Sequence, residues 1–478
     1  MNMKPIAVVC LGLLSSASLV NGAGPFRDGD RVCFVGDSIT KQGGYHAQIL
    51  LFYATRLPGV RVQMWNCGIA GDTAAGGVKR YDWDIAPHKP TVVSIMMGMN
   101  DVGRGYYAKE DPDKATLAKR QQAIDRNIAN MGKLVGRVTG DGARAILITP
   151  SLYDQTGQQK QACCFGVNDA LKACADGVRQ IAKRHAATVD VVEFNAPMAA
   201  SNAEWQAKDP AFTIVGKRDR VHPGAVGHLV MAYLFLKAQG VPGTVAVMEL
   251  DAGMKDVVKQ ENCTIADTAI SADRVGFACL ERALPFPIGQ REQPALELVP
   301  FLSELNREIL EVSHLETGKY ELRIDGKPIL TASSEALARG INLAVEKDTP
   351  QYKQALAVEE LVTRRHKLEK VIRTYALLKQ QFFPDETDLT PEMEKEILKR
   401  NLETLKGRDS VWNNYRRKMI ESYLGTPGGK AAVEKQCTTL LEQIDQVNRP
   451  QQHHYELVRI GGSSTVGVGT GSHRPITR

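Results

Sequence analysis

The chain has 478 residues, a formal net charge of +6, 43% hydrophobic residues and 24% charged residues. The length exceeds one typical domain, and the apolar content is that of an ordinary globular protein, which excludes a disordered or fibrous class. The weak charge, with no basic–aromatic motif beside it, excludes a nucleic-acid partner.

Met1 to Lys4 give a charged start, residues 6–20 are apolar or small, and Asn21, Gly22 and Ala23 offer a small-residue cleavage region. The pattern predicts a signal peptide over residues 1–23 and a secreted or periplasmic protein. The apolar run is too short for a membrane span, and no stable membrane insertion is expected. Cys10 follows Val9, not a small residue, so lipidation is not expected. Beyond the leader, Cys263 and Cys279 can close a small loop in an oxidising compartment; buried free thiols are the equal alternative. Cysteine spacing gives no zinc pattern, and no metal is expected.

Val32-Cys33-Phe34-Val35 predicts a buried strand over 31–35, running into Gly36-Asp37-Ser38-Ile39-Thr40. A helix over 44–56, a strand over 60–65 ending in Asn66-Cys67-Gly68, a short helix over 74–82 and an apolar strand over 91–97 follow. Leu117, Ile124, Ile128, Met131, Leu134 and Val135 recur at helical spacing. Then come a strand over 143–149, a helix over 167–185, a strand over 188–193 and a helix over 225–237. Apolar strands alternating with helices imply a parallel sheet covered on both faces. The expectation is a three-layer, flavodoxin-like α/β domain with a five-stranded parallel sheet over residues 24–240.

The character changes at Gly240-Val241-Pro242-Gly243. Strands over 245–250, 274–279, 319–324 and 340–345, with a helix over 301–311, predict a small β-rich or α+β module at 244–346. Residues 350–458 read as helical. Leu361, Leu368, Ile372, Tyr375 and Leu378 form a stripe, and Thr390-Pro391 supplies an N-cap and first turn. These Lys/Arg/Glu-rich helices are expected to pack one stripe and solvate the charged face. The Gly/Ser/Thr-rich end, 459–478, predicts disorder.

Four stretches carry the chemistry. Ser38 follows the first strand, Gly68-Ile69-Ala70-Gly71-Asp72-Thr73 the second and Gly98-Met99-Asn100-Asp101 the third; Asp219-Arg220-Val221-His222-Pro223 precedes the last α/β helix. In a parallel sheet the first three share the carboxyl edge, where such sheets place their ligands. Taken alone, Asp37 and Ser38 can equally well just cap the next helix. A serine nucleophile needs a base, which His222 can supply, and Asp219, three residues earlier, can fix the imidazole tautomer. The backbone N–H groups of Ser38 and Gly71 and the Asn100 amide can receive an oxyanion.

These blocks closely resemble the SGNH (GDSL) hydrolase family: Gly36-Asp37-Ser38, then Gly71, then Gly98 with Asn100, then Asp219 with His222. The resemblance covers roughly residues 24–239. It implies an esterase, lipase, thioesterase or carbohydrate O-acetylesterase that needs no metal or other cofactor. Its family pattern often has Pro-Asn after the histidine; here Gly224 follows Pro223, which is expected to alter a helix cap and not the chemistry. Secreted bacterial members share a Gly29-Asp30-Arg31-Val32-like start and an Asp82-Trp83-Asp84-like segment, which points to O-acetylated carbohydrate as substrate. Plant-wall polysaccharide and O-acetylated sialic acid are both open. A lipase or lysophospholipase is the alternative; a non-enzymatic glycan-binding protein is disfavoured by the full residue set.

Two further residues are substrate-binding candidates. His46 can line the pocket or pack a helix, and Trp83 can stack on a sugar or fill space between helix and sheet. Asp101 is expected to hydrogen-bond the Ser38 turn, and His228 to be structural.

Overall fold

The computed structural model of the chain describes residues 23–216, 219–383 and 389–460. Residues 1–22 of the expected leader and 461–478 of the expected tail lie outside the described residues.

The first half alternates as the apolar runs require. In order it contains β1 (Arg31–Gly36), α1 (Ser38–Gln42), α2 (Gly44–Arg56), β2 (Gln63–Gly68), α3 (Ala74–Lys79), β3 (Val92–Met96), α4 (Lys114–Gly140), β4 (Arg144–Ile148), α5 (Val167–Arg184), β5 (Val189–Val192), α6 (Asn195–Gln206) and α7 (Ala225–Gln239). The five strands form one parallel sheet in the order β2-β1-β3-β4-β5. All five residues of β3 are buried, as expected of a central strand with helices on both faces. This is the flavodoxin-like α/β architecture. Two departures are local: β2 begins three residues later than its apolar run, and α6 carries too little periodicity to be read from sequence.

The second half contains β6 (Thr244–Asp251), β7 (Asp256–Glu261), β8 (Cys263–Ile270), β9 (Arg274–Glu281), α8 (Phe301–Leu305), β10 (Arg307–Ser313), β11 (Lys319–Ile324), β12 (Lys327–Ser333), α9 (Ser334–Ala338) and β13 (Ile341–Asn342). After them come α10 (Pro350–Phe382), α11 (Pro391–Thr404), α12 (Val411–Leu424), α13 (Gly429–Val447) and β14 (Gln452–Ile460). Two sheets result, β13-β10-β6-β7 and β12-β11-β14-β9-β8. The helix expected over 301–311 stops at Leu305, because β10 pairs in parallel with β6 from Arg307 onward. The region expected to be helical to residue 458 ends in a strand instead. β14 sits between β11 and β9, and its Tyr455 and Leu457 are buried in the core of that module. All eight described cysteines are free thiols, Cys263 and Cys279 included.

The C-terminal helices fold back onto the first sheet, and the charges of α10 are not all solvated. Arg365, Glu369 and Arg373 are buried against the edge strand β2. Arg365 donates to the Met64 carbonyl, Glu369 accepts from the Asn66 N–H at 3.4 Å, and Arg373 Nε donates to the Gly68 carbonyl at 3.0 Å. Four residues of helix rise about 6 Å and two residues of strand about 6.6 Å, so every fourth helix residue meets every second strand residue. Side chains thus take the hydrogen bonds that a sixth strand would otherwise make.

Candidate active site

The sheet brings the four sequence blocks to its carboxyl edge. β1 ends at Gly36, Asp37 caps α1 by accepting the Ile39 N–H at 2.9 Å, and Ser38 is the first residue of α1. Capping and display of the hydroxyl are therefore shared between neighbours: Asp37 holds the turn and Ser38 is left free to point outward. β2 ends against the same turn, where a Cβ on Gly68 would lie 2.3 Å from the Lys41 nitrogen.

Ser38 Oγ lies 2.7 Å from His222 Nε2, and His222 Nδ1 lies 2.5 Å from Asp219 Oδ2. An ionised carboxylate only accepts, so Nδ1 carries the proton and Nε2 is free to accept the Ser38 hydroxyl. Burial pushes the Asp219 carboxyl up, but the backbone N–H and imidazole of His222 outweigh it and hold it below the usual carboxylate range. Asp219 Oδ1 also accepts the N–H groups of Val221 and His222, at 3.1 and 3.0 Å. Arg220, between them, takes a left-handed φ of 62° and is buried. Its guanidinium donates to the carbonyls of Asp154 and Gly157, at 3.0 and 2.9 Å, which fastens the turn to the loop after β4.

Beside Ser38, Gly71 has φ +77°, a conformation that side chains resist. A Cβ there would meet only Trp412 Cη2, at 3.8 Å, so the backbone angle and not packing calls for glycine. Asn100 Nδ2 donates to the Asp72 carbonyl at 2.9 Å; its other contact is Asp37 Oδ2 at 3.4 Å. Both N–H groups of that amide are thus engaged, and the long contact to Asp37 is the one a ligand oxygen would replace. Asp37 is buried among the carboxylates of Asp101 and Asp72; burial above all raises its pKa to about 7.

The two further candidates stand apart from the Ser38 cleft. His46 is buried, stacks on Phe34 with ring centroids 5.1 Å apart, and has its Nε2 3.2 Å from the Thr40 carbonyl. Burial depresses its pKa to about 3, so it packs as a neutral ring. Trp83 lies against Ile69, Ala376 and Leu377, with the Lys379 ammonium 5.2 Å from its ring centre. Asp101 accepts the Ala74 N–H at 2.9 Å and so fixes the start of α3 instead of the Ser38 turn. His228 contacts Gln42 Oε1 at 3.3 Å and borders the cleft. Gly224 is the N-cap of α7 with no side-chain cap bond, the altered cap expected from Pro-Gly.

Sequence reading missed the support beneath the Gly71 loop. Arg80 donates to Asp72 at 2.7 Å and to Asp84, and Arg373 takes Asp84 in a two-pronged grip at 2.9 and 2.7 Å. All four side chains are buried. Burial raises the Asp84 carboxyl, but Arg373 and Arg80 overcome this and hold it far below the usual range. Only the Arg80/Asp84 half, four residues apart, had a sequence signal. The roof was missed too. α12 carries Trp412 and Tyr415 over the cleft, and Lys41 Nζ donates to the Tyr415 hydroxyl at 2.7 Å. The cleft measures ≈ 1710 Å³.

A hydroxyl, an imidazole and a carboxylate in series at the carboxyl edge of a parallel sheet, in a cleft also lined by Gly71 and Asn100, are the equipment of a hydrolase. The family model described as GDSL-like lipase/acylhydrolase matches residues 32–235. A solved gut microbial diltiazem-metabolizing enzyme is 36% identical, covers 92% of this chain and 99% of its own, and superposes with a TM-score of 0.84. An acetylxylan esterase of Geobacillus stearothermophilus is 28% identical over 227 residues, 44% of this chain and 94% of that protein. The chain belongs to the SGNH/GDSL hydrolase family and is a carboxylic ester hydrolase.

Proposed function

We propose that the chain is an exported serine esterase that removes small acyl groups, O-acetyl above all, from carbohydrate. Ser38 attacks the ester carbonyl as His222 Nε2 takes its proton; Asp219 holds the imidazole. The N–H groups of Ser38 and Gly71 and the Asn100 amide receive the oxyanion. His222 then protonates the leaving sugar hydroxyl, and water activated by the same imidazole releases the acid. The observation that carries this reading is the unbroken Ser38–His222–Asp219 series at 2.7 and 2.5 Å. The acetyl and carbohydrate assignments draw support from the acetylxylan esterase relative, and export from the residue 1–23 pattern alone.

The test is hydrolysis of p-nitrophenyl acetate and octanoate. Acetate should be the better substrate, and Ser38→Ala should lower kcat by roughly 10⁵-fold or more. Full activity in Ser38→Ala would remove the proposal.

A further inference from the structure

The cleft over Ser38 has an uneven charge. Four cations face it from four separate elements: Lys41 on α1, Arg104 in the loop after β3, Arg291 in the loop after β9, and Lys370 on α10. Among the described lining residues the one carboxylate is Asp219, already bound to His222. The four are not balanced elsewhere. Lys41 donates to a neutral phenol, and Arg104 to the Met99 carbonyl and the Asn100 amide oxygen. Arg104 acts on the buried Asp37 only through space, and the raised pKa of Asp37 weakens its charge near neutral pH. Neither Arg291 nor Lys370 is in an ion pair with any described carboxylate, whereas many cations of the outer surface are, Lys172 with Asp169 and Lys406 with Glu403 among them.

Above these cations hangs an aromatic surface. Trp412 is 57% exposed, and its ring edge lies over Gly71. Tyr415 meets it edge-on, with ring centroids 5.9 Å apart. An indole left in water next to an oxyanion-receiving loop is suited to stacking on a ring carried by the substrate. A cleft of one charge sign, walled by low-dielectric protein, concentrates ligands of the opposite sign.

We propose that the cleft selects esters borne on an anionic saccharide, one whose ring carboxylate sits within reach of Arg291 and Lys370 while the acyl carbon is presented to Ser38. The proposal rests on the esterase reading above and narrows it. Uronic acids and nonulosonic acids share the required carboxylate. The geometry disfavours neutral xylan-type chains, which offer nothing to these cations.

The test uses the full-length enzyme with p-nitrophenyl acetate as reporter and three competitors: trigalacturonic acid, N-acetylneuraminic acid and xylotriose. At least one acidic sugar should inhibit competitively, with a Ki on the order of tenfold below that of xylotriose. That advantage should shrink between about 20 and 300 mM NaCl. Lys370→Glu and Arg291→Glu should each lower the acidic-over-neutral preference roughly fivefold or more, and Lys370→Arg should keep it. Whichever acid competes identifies the source. Equal inhibition by acidic and neutral sugars, absence of inhibition by both acids, or a preference untouched by charge reversal would overturn the inference. If the cations serve only the developing oxyanion, charge reversal lowers turnover and leaves the preference unchanged, which counts against it. Each of these outcomes leaves intact an esterase reading that Ser38→Ala supports. Activity surviving Ser38→Ala removes both.

Discussion

Arg373 holds Asp84 with two donors, at 2.9 and 2.7 Å, across 289 residues of sequence. The same guanidinium donates to the Gly68 carbonyl, three residues before Gly71. Asp84 is in turn bonded to Arg80, and Arg80 to Asp72, so the loop that carries Gly71 is pinned at both ends by one buried network. A helix some 300 residues further along the chain therefore pins the loop that carries Gly71.

Arg373→Met should lower stability by about 3–5 kcal/mol, because Asp84 is left buried with one partner lost. Urea unfolding of the full chain measures this. Turnover of p-nitrophenyl acetate should fall as well, with kcat affected more than KM, since the donor and not the entrance is displaced. A double variant Arg373→Met/Asp84→Asn should recover part of the stability but not the turnover.

Asp219→Asn keeps an oxygen for the Val221 and His222 N–H groups but offers an amide to Nδ1. The imidazole should then take the wrong tautomer. The expected outcome is a fall in kcat of about 10⁴-fold with little change in KM or in melting temperature. A comparable loss of stability would mean that the carboxylate holds the turn more than it orients the ring.

Gly71→Ala makes only an ordinary contact with Trp412, so its cost is the backbone angle, about 1–2 kcal/mol. Activity should fall further than stability, on the order of 10²–10³-fold in kcat, if relaxation of the angle turns the N–H away from the oxyanion. Stability and kcat measured on the same preparation separate the two effects.

The first half of the chain was legible because its inner strands β1, β3 and β4 are buried on both faces and read as apolar runs. Ser38, Gly71, Asn100, Asp219 and His222 were legible because each sits in a short block at a strand end or helix start. The second half was less so. β10 alternates Glu308, Leu310 and Val312 with residues that also fit helical spacing after Leu302 and Leu305, and only pairing with β6 decides it. Arg373 and Trp412 had no local signature at all. Their significance comes from residues some 300 positions away, and a charged helix face reads as solvated until the strand edge beneath it is known.

Asp37 makes the stability of the folded chain depend on pH. Its carboxyl titrates near 7 in the folded chain, well above an unfolded aspartate, so the folded state binds the proton more tightly. This group's contribution to stability is therefore fully present below about pH 4 and is lost as pH rises through about 7. The melting temperature of the wild type should therefore decline from pH 5 to 8 more steeply than that of Asp37→Asn, whose side chain can still cap Ile39. Parallel slopes for the two proteins would show that Asp37 is ionised throughout.

The place of β14 in its sheet has a consequence for biogenesis. Gln452–Ile460 is the last described strand, yet it lies between β11 and β9, both made more than a hundred residues earlier. During synthesis those two strands wait with bare facing edges, the kind of surface that invites pairing with another chain. The four helices that precede β14 gain a further tether at their far end when it slots in, beside the bond from Asn448 to the Ala54 carbonyl. Completion of that sheet thus waits on a late, long-range closure, and a nascent chain arrested before residue 452 should be prone to aggregate.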